Sequence, residues 1–289
     1  MSQNFTLSAF ADEAAEALDG QIVALQENGI QNIEIRGVDG VNIADLTDAQ
    51  LQTAKEKLKA GGITVSAIGS PIGKVQITDP AQEEYDRFKR VLDIAAALDA
   101  PAIRMFNFYY PKGDTTAQWR DEIMLRCGRF LEIAQGSGIM LGMENEGHIF
   151  GEQIAECADL LDTFEGGYKL VFDPCNFILS GVDPLEAFAK LRRHIGWMHL
   201  KDAKDGKIVP PGEGDCGLFE TLKDRLETEG PCIITLEPHL WEFVGLASQH
   251  QGNEDDLGRF LSGHNFKDGR EAFDFAAGAV KGLLVKMGR

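Results

Sequence analysis

The sequence predicts a single-domain α/β protein built as a (β/α)8 barrel, the TIM-barrel architecture, and three observations lead there. Short apolar runs alternate with longer amphipathic stretches eight times along the 289 residues. Those runs are apolar throughout rather than at every second position, which marks strands of a parallel sheet covered by helices. No linker, low-complexity tract or change of composition interrupts the chain, so residues 1–289 read as one domain. Eight strand–helix units in about 250 residues or more suit a closed barrel better than an open doubly wound sheet.

The elements follow in order. Phe5 to Phe10 reads as the first strand, and Ala14 to Gln26 as a helix with Leu18, Ile22 and Leu25 on one face. Ile33 to Ile35 and Ile63 to Ile68 are strands, separated by a helix from Ala49 to Leu58. Glu83 to Leu98 is a strong helix, with Phe88, Val91, Leu92 and Ala95 at helical spacing. Strand four (Ile103 to Phe106) precedes a helix from Trp119 to Ala134, and strand five (Ile139 to Met143) one from Gln153 to Leu161. Strand six is Leu170 to Phe172, followed by a helix from Leu185 to Leu191 that Asp183-Pro184 opens. Ile195 to Leu200 and Cys232 to Leu236 are strands seven and eight, with a helix from Phe219 to Leu226 between them and a last helix from Arg270 to Met287. The open sheet in its nucleotide-binding form needs Gly-x-Gly-x-x-Gly after strand one; here that strand runs into Ala9-Phe10-Ala11-Asp12-Glu13.

Composition narrows the function class. Lys plus Arg number 28 against 46 Asp plus Glu, a net charge of −18, which disfavours nucleic acid and other polyanionic partners. No apolar run approaches the roughly 20 residues needed to span a bilayer, and the N-terminus lacks the pattern of a secretory signal. The five cysteines are scattered without a Cys-x-x-Cys pair, which fits a reducing cytoplasm rather than a disulfide scaffold.

In a (β/α)8 barrel the chemistry sits at the C-terminal ends of the strands. Strand five ends in Glu144-Asn145-Glu146-Gly147-His148, and strand six in Asp173-Pro174-Cys175-Asn176. Strand seven carries His199-Leu200-Lys201-Asp202, and strand eight ends in Glu237-Pro238-His239. A lone acid in such a place is ordinarily a helix cap or a solvated loop residue. Four metal-capable residues on successive strands are different, because Glu144, Asp173, His199 and Glu237 converge on one mouth. Three carboxylates that close repel one another unless a cation sits between them. Three oxygen donors and one imidazole suit one divalent ion: Mn²⁺, Mg²⁺ or Co²⁺, with Zn²⁺ also admitted. Glu146 shares the parity of Glu144, so a slip of two residues exchanges them; Glu144 is preferred because the apolar strand runs directly into it.

With these residues in place, the chain resembles the sugar isomerase/epimerase superfamily of xylose-isomerase-like barrels over nearly its whole length. The resemblance is carried by Ser8-Ala9-Phe10-Ala11-Asp12-Glu13, Ile68-Gly69-Ser70-Pro71, Glu144-Asn145, Asp173, His199 to Asp202, Gly212-Glu213-Gly214-Asp215 and Glu237. It implies Glu144, Asp173, His199 and Glu237 as metal ligands, with Glu144 and Glu237 doubling as the catalytic acid/base pair. The implied activity is isomerisation or epimerisation of a small sugar-like substrate, through proton abstraction α to a metal-polarised carbonyl and an enediolate. A dehydratase or lyase of the same superfamily, acting on a keto-sugar or keto-cyclitol, is the alternative. An abasic-site endonuclease of this barrel class needs a histidine-rich zinc site and a basic groove, against six histidines and a charge of −18 here. Family epimerases often carry a histidine three residues after the strand-six aspartate. This chain has Asn176 there, which remains a substrate-contacting group without a titrating role.

Further residues carry two readings each. His148 and His239 either bind substrate hydroxyls and shuttle protons or are solvated loop histidines. Arg104, a charge inside apolar strand four, either contacts substrate oxygens or neutralises an acid such as Glu34. Lys201 reaches the mouth or pairs with Asp202 or another acid. Phe10, Phe106 and Phe108 stack on sugar faces or pack in the core, and Lys74 holds an anionic substituent or is an ordinary loop lysine. Trp241 to Phe266 is long for a loop after strand eight, and reads as a lid, a homo-oligomer contact or an extra rim helix.

Overall fold

Eight parallel strands close on themselves, with neighbours in the order β1-β8-β7-β6-β5-β4-β3-β2. They are β1 (Phe5–Ala9), β2 (Asn32–Ile35), β3 (Thr64–Gly69), β4 (Ala102–Met105), β5 (Met140–Glu144), β6 (Tyr168–Phe172), β7 (Ile195–Leu200) and β8 (Cys232–Leu236). Closure is made by β1, which pairs with β8 from Phe5↔Cys232 to Ala9↔Leu236 and with β2 at Ser8↔Asn32 and Ala9↔Ile33. The structure is a computed structural model that describes residues 5–228, 232–243 and 264–289. The predicted (β/α)8 barrel is the observed fold.

Helices cover the outside. Among them are α1 (Leu18–Glu27), α2 (Asp48–Ala60), α3 (Ala81–Ala97), α4 (Thr116–Ala134), α5 (Ile154–Thr163), α6 (Pro174–Leu179), α7 (Pro184–Leu191), α8 (Leu218–Thr228) and α9 (Gly269–Lys286). Local sequence sets their starts. Thr47 caps α2 in a reciprocal box with Gln50, and Asp183 accepts from Leu185 N at 2.8 Å ahead of Pro184 in α7. The predicted first helix, Ala14 to Gln26, begins later, at Leu18, after a turn of 3₁₀ helix over Ala11–Glu13. The reason lies in another segment, because Leu18 N donates to Asp39 Oδ1 at 2.8 Å and the cap is supplied across space. Pattern reading also missed α6 and two short hairpins, Gly37–Val38 with Val41–Asn42 and Asp202–Lys204 with Lys207–Val209. These pieces are too short to show a period.

The barrel has two apolar compartments. The larger core lies between strands and helices, and a small plug of Ala67, Ala102, Val171 and Trp197 lies apart from it. Trp197 is fully buried and fills a space that small residues leave open, as the layered interior of such barrels requires. A Cβ on Gly142 would meet Trp197 Cη2 at 2.2 Å and Val171 Cγ2 at 2.7 Å. Gly142→Ala therefore overpacks the plug and lowers stability by about 1–3 kcal/mol. Thermal unfolding reads this directly, and an unchanged midpoint would show that Trp197 yields without cost.

All five cysteines are buried and free. No helix among the described residues is long and apolar enough to cross a membrane. The lid or interface reading of Trp241 to Phe266 falls mostly on residues 244–263, outside the described residues.

Candidate metal centre

Side chains alternate across a strand, so the residues that continue the inward face past the plug end at one mouth. Gly142 leads to Glu144, Val171 to Asp173, Trp197 to His199 and Lys201, and Thr235 to Glu237. All four of Glu144, Asp173, His199 and Glu237 are buried, and each offers one ligand atom within 4.8 Å of the others. Glu146, the other strand-five option, instead pairs with Lys74 Nζ at 3.0 Å, and burial, which would raise its pKa, is outweighed by Lys74 and Lys201, leaving it at about 2.

Each member is held by neighbours. Asp173 caps α6, its Oδ1 accepting from Cys175 N at 2.8 Å and Asn176 N at 3.1 Å. Asn145 clamps the same residue through both backbone groups, Nδ2 to Asp173 O at 2.8 Å and Oδ1 from Asp173 N at 2.9 Å. Asp173 is thus a helix cap through Oδ1 alone. Its Oδ2 is buried with no hydrogen-bond partner among the described residues, although Lys201 Nζ lies 2.8 Å away. His199 places Nδ1 3.0 Å from Glu144 Oε1 and 3.4 Å from Glu237 Oε2. Behind it, Nε2 lies 3.2 Å from both oxygens of Glu34, to which Thr235 Oγ1 also donates at 2.7 Å.

The residues fit a divalent ion. Ligand atoms 4.8 Å apart can each reach one cation at the usual ~2.0–2.6 Å, the donor set is oxygen-rich, and Asp173 Oδ2, met by the Lys201 ammonium at 2.8 Å, already accepts a cation. Glu34 matters to that fit because a carboxylate only accepts, so it keeps a hydrogen on Nε2 and aims Nδ1 at the cluster. Burial presses the imidazole to lose its proton, but Glu144 and Glu34 override it and hold the His199 pKa well above the ordinary value. An entering ion must displace the Nδ1 proton, so affinity falls as pH falls. Glu34→Gln weakens divalent-metal binding by about 10-fold or more, which calorimetry with Mn²⁺ measures; unchanged affinity would remove Glu34 from this role.

Burial raises Asp173 to about 6, with Lys201 pulling the other way and Glu237 and Glu144 adding to the rise. Burial pushes Glu237 up too, yet Lys201 and the neighbouring imidazoles hold it well below the carboxylate range. His239 lies 3.4 Å from Glu237 Oε1, and burial with Lys201 takes it down to about 3, so at neutral pH it adds no charge and Lys201 dominates.

The remaining candidates divide. Asn176 Nδ2 donates to Asn145 O at 3.0 Å and approaches Glu144 Oε1 at 3.4 Å, so it lies at the cluster. Lys201 also lies there, 3.3 Å from Glu237 Oε2. The pairing of Lys201 with Asp202 does not occur, because successive residues face opposite ways. Asp202 accepts from Ala203, Gly212, Gly214 and Cys216 N and so ties down the Gly-x-Gly-Asp loop. Only glycine fits at 214, where a Cβ would meet Asp202 Oδ1 at 2.1 Å. Arg104 pairs with Glu144 at 3.3 Å rather than with Glu34, because β5 adjoins β4 while β3 separates β4 from β2. His148 is exposed at φ 63° and is not among the clustered residues. Phe10, Phe106 and Phe108 are all buried. Phe108 stacks on Phe130, whereas Phe10 meets the His199 ring edge-on at 5.1 Å between centroids.

Sequence reasoning missed Arg36, which follows β2 with the inward parity of Glu34. It is 4% exposed and bonds Asp12 at 2.9 and 3.0 Å, Glu13 at 3.2 Å and Glu237 at 3.0 Å. A charged pair, Glu34 and Arg36, flanking apolar Ile35 was the available signal. Glu13, Glu237 and His239 form a second group with metal-ligand geometry, and Arg36 already pairs with both of its acids.

The family model described as xylose isomerase-like TIM barrel matches residues 22–257. The chain belongs to that family. Solved structures of the same fold cover nearly all of it at low identity. The probable 3-DHS dehydratase AsbF of Bacillus anthracis is 18% identical, with 96% of this chain and 98% of that chain covered and a TM-score of 0.71. D-allulose 3-epimerase from Methylomonas sp. in complex with D-allulose is 16% identical over 98% and 97%, TM-score 0.73. A xylose isomerase-like TIM barrel protein from Mycobacterium smegmatis in complex with magnesium is 13% identical over 99% and 98%, TM-score 0.68. Among curated proteins no relative matches. The solved barrels of this fold thus include one described as an epimerase and one as a probable dehydratase.

Proposed function

We propose that the protein is a divalent-metal-dependent isomerase or epimerase of a small sugar or related hydroxy-carbonyl compound. The observation that carries the reading is the meeting of two glutamates, Glu144 and Glu237, with Asp173 and His199 at the C-terminal mouth of the barrel, ligand atoms within 4.8 Å. An ion held there, Mn²⁺, Mg²⁺, Co²⁺ or Zn²⁺ by donor type, supplies a Lewis acid that polarises a carbonyl. The protein moves the proton. The C–H bond α to the carbonyl breaks, its electron pair enters an enediolate, and the proton passes to a carboxylate oxygen of one glutamate. The other glutamate, protonated from solvent, returns a proton to the opposite face of that carbon, giving an epimer, or to the former carbonyl carbon while the α-hydroxyl proton passes to the former carbonyl oxygen, giving an isomer.

Arg104, 3.3 Å from Glu144, and Lys201, 3.3 Å from Glu237, stand beside both carboxylates and face the developing negative charge. Asn176 orients Glu144. Lys201 also keeps Glu237 a weak base, so turnover needs that ammonium to shift toward substrate. A net charge of −18 favours a small-molecule substrate over nucleic acid.

The test is hydrogen exchange. Protein stripped with a chelator and reloaded with Mn²⁺ is incubated in deuterated water with a panel of ketoses and aldoses, and deuterium appears at the carbon α to the carbonyl. Stripping abolishes it and metal restores it. No incorporation with any sugar and any of the four metals overturns the reading. Loss of water from the product selects the dehydratase, whose first step is the same and which the similarity to a probable dehydratase keeps as the second reading.

A further inference from the structure

The last helix, α9, is apolar on two sides. Its inner face, with Phe273, Ala276, Val280 and Leu284, is buried. Its outer face carries two large apolar side chains, Phe275 at 44% and Val285 at 70% exposure. Single exposed apolar residues are ordinary, but a helix that is apolar all round is built to be covered on both sides. Between Phe275 and Val285, on the same stripe, lie Gly278 and Gly282, both exposed. A Cβ on either would meet no heavy atom of the described residues within 4 Å, so no contact in the single chain calls for glycine. Each glycine nevertheless costs the helix about 1 kcal/mol relative to alanine. What a bare backbone does provide is room for another chain to come close.

The stripe is also symmetric along its length. Glu271, Phe275, Gly278, Gly282, Val285 and Arg289 follow at steps of four, three, four, three and four, the spacing at which one helix faces a second. Reversal about position 280 exchanges Phe275 with Val285 and Gly278 with Gly282, and it exchanges acidic Glu271 with basic Arg289. The remaining charges divide the same way. No acid occurs from Phe275 to Arg289, where Lys281, Lys286 and Arg289 lie, whereas Asp268, Glu271 and Asp274 gather at the start of the helix. The cations near that start are taken up locally, Arg270 by Glu27 and Asp274, and Lys267 by Asp268. Two copies of α9 laid antiparallel therefore set glycine against glycine, Phe275 against Val285, and the acidic end of each against the basic end of the other.

We propose that this face is a self-association surface, on which α9 of a second copy packs antiparallel to form a two-fold dimer. In such a dimer each residue meets its counterpart reciprocally, and the symmetry of the stripe about position 280 is the pattern that arrangement requires. From Phe275 to Val285 the contact runs about 15 Å at 1.5 Å per residue. That is a small interface, so the dimer is weak, with a Kd on the order of 10 μM. The proposal is independent of the catalytic reading, because α9 contributes none of the four clustered residues at the mouth.

Sedimentation velocity of the full chain, from about 1 to 200 μM, is expected to show a monomer passing into a dimer. Phe275→Glu, and separately Gly278→Leu combined with Gly282→Leu, each weaken association by about 10-fold or more. Thermal unfolding at a dilution where all are monomers separates this from misfolding. There the paired glycine variant melts at or above wild type, since leucine is the better helix former and the space at both positions is open. Arg289→Glu weakens association several-fold, and adding Glu271→Lys restores it, as the antiparallel arrangement requires. A monomer across the whole range overturns the proposal. So does a dimer unchanged in Phe275→Glu and the paired glycine variant, which would lie on another face. A lowered melting point of the diluted glycine variant overturns it as well, because the stripe would then be covered within one chain. Charge reversal without restoration overturns the antiparallel pairing and the proposal with it.

Discussion

Glu144→Gln and Glu237→Gln each reduce α-proton exchange by about 10²–10⁴-fold, the contribution of a positioned acid/base group. An amide keeps the shape of the carboxylate but accepts no proton at neutral pH. Both residues are 3% exposed and sit on strand ends, so the circular dichroism spectrum and the barrel should be unchanged. Glu237→Gln also leaves Arg36 and Lys201 each without one acidic partner, at 3.0 and 3.3 Å. Its unfolding midpoint is therefore measured alongside its rate. Exchange within tenfold of wild type in both variants would remove the two-glutamate mechanism.

Arg36→Met destabilises the protein by about 3–5 kcal/mol, the cost of stripping one partner from a buried ionic group. The guanidinium is 4% exposed and sits 4.4 Å from the ring centroids of both Phe10 and Phe243, so solvent does not screen the loss. Asp12, Glu13 and Glu237 would be left facing one another. Burial, partly offset by Arg36, already lifts Glu13 from 4.5 to about 8. A carboxyl raised in the folded state contributes stability at low pH and loses it as pH climbs through that interval. Without Arg36 the folded value rises further, and the loss runs on to higher pH. The deficit of Arg36→Met measured by urea unfolding is accordingly larger near about pH 9 than near about pH 6. A variant within ~1 kcal/mol of wild type at both would show that Arg36 is dispensable.

The legible part of the fold was the part with a period. Strands β7 and β8 match their sequence reading, Ile195 to Leu200 and Cys232 to Leu236, because buried parallel strands are apolar runs bounded by polar residues. The long helix α3 was equally plain from Phe88, Val91 and Ala95. The start of α1 was not legible, since its first amide is capped by Asp39 from a hairpin too short to show a pattern. At the site, four strand-end residues could be listed from parity and position alone. Their second layer could not, because Glu34 behind His199 and Arg36 against Glu237 come from a strand more than a hundred residues away in sequence.

What the sequence determined by itself was the barrel and the residue types at its mouth. Eight apolar runs separated by amphipathic ones admit little else, and alternation along each strand fixes which side chains point inward. What only the tertiary structure decided was pairing. Arg104 met Glu144 and not Glu34, Lys201 met Asp173 and Glu237 and not Asp202, and Glu146 left the cluster for Lys74. Ion pairs depend on which strands are neighbours and on which carboxylate is nearest in a low-dielectric interior. Both follow from the closure of the sheet, which brings together residues the chain keeps far apart.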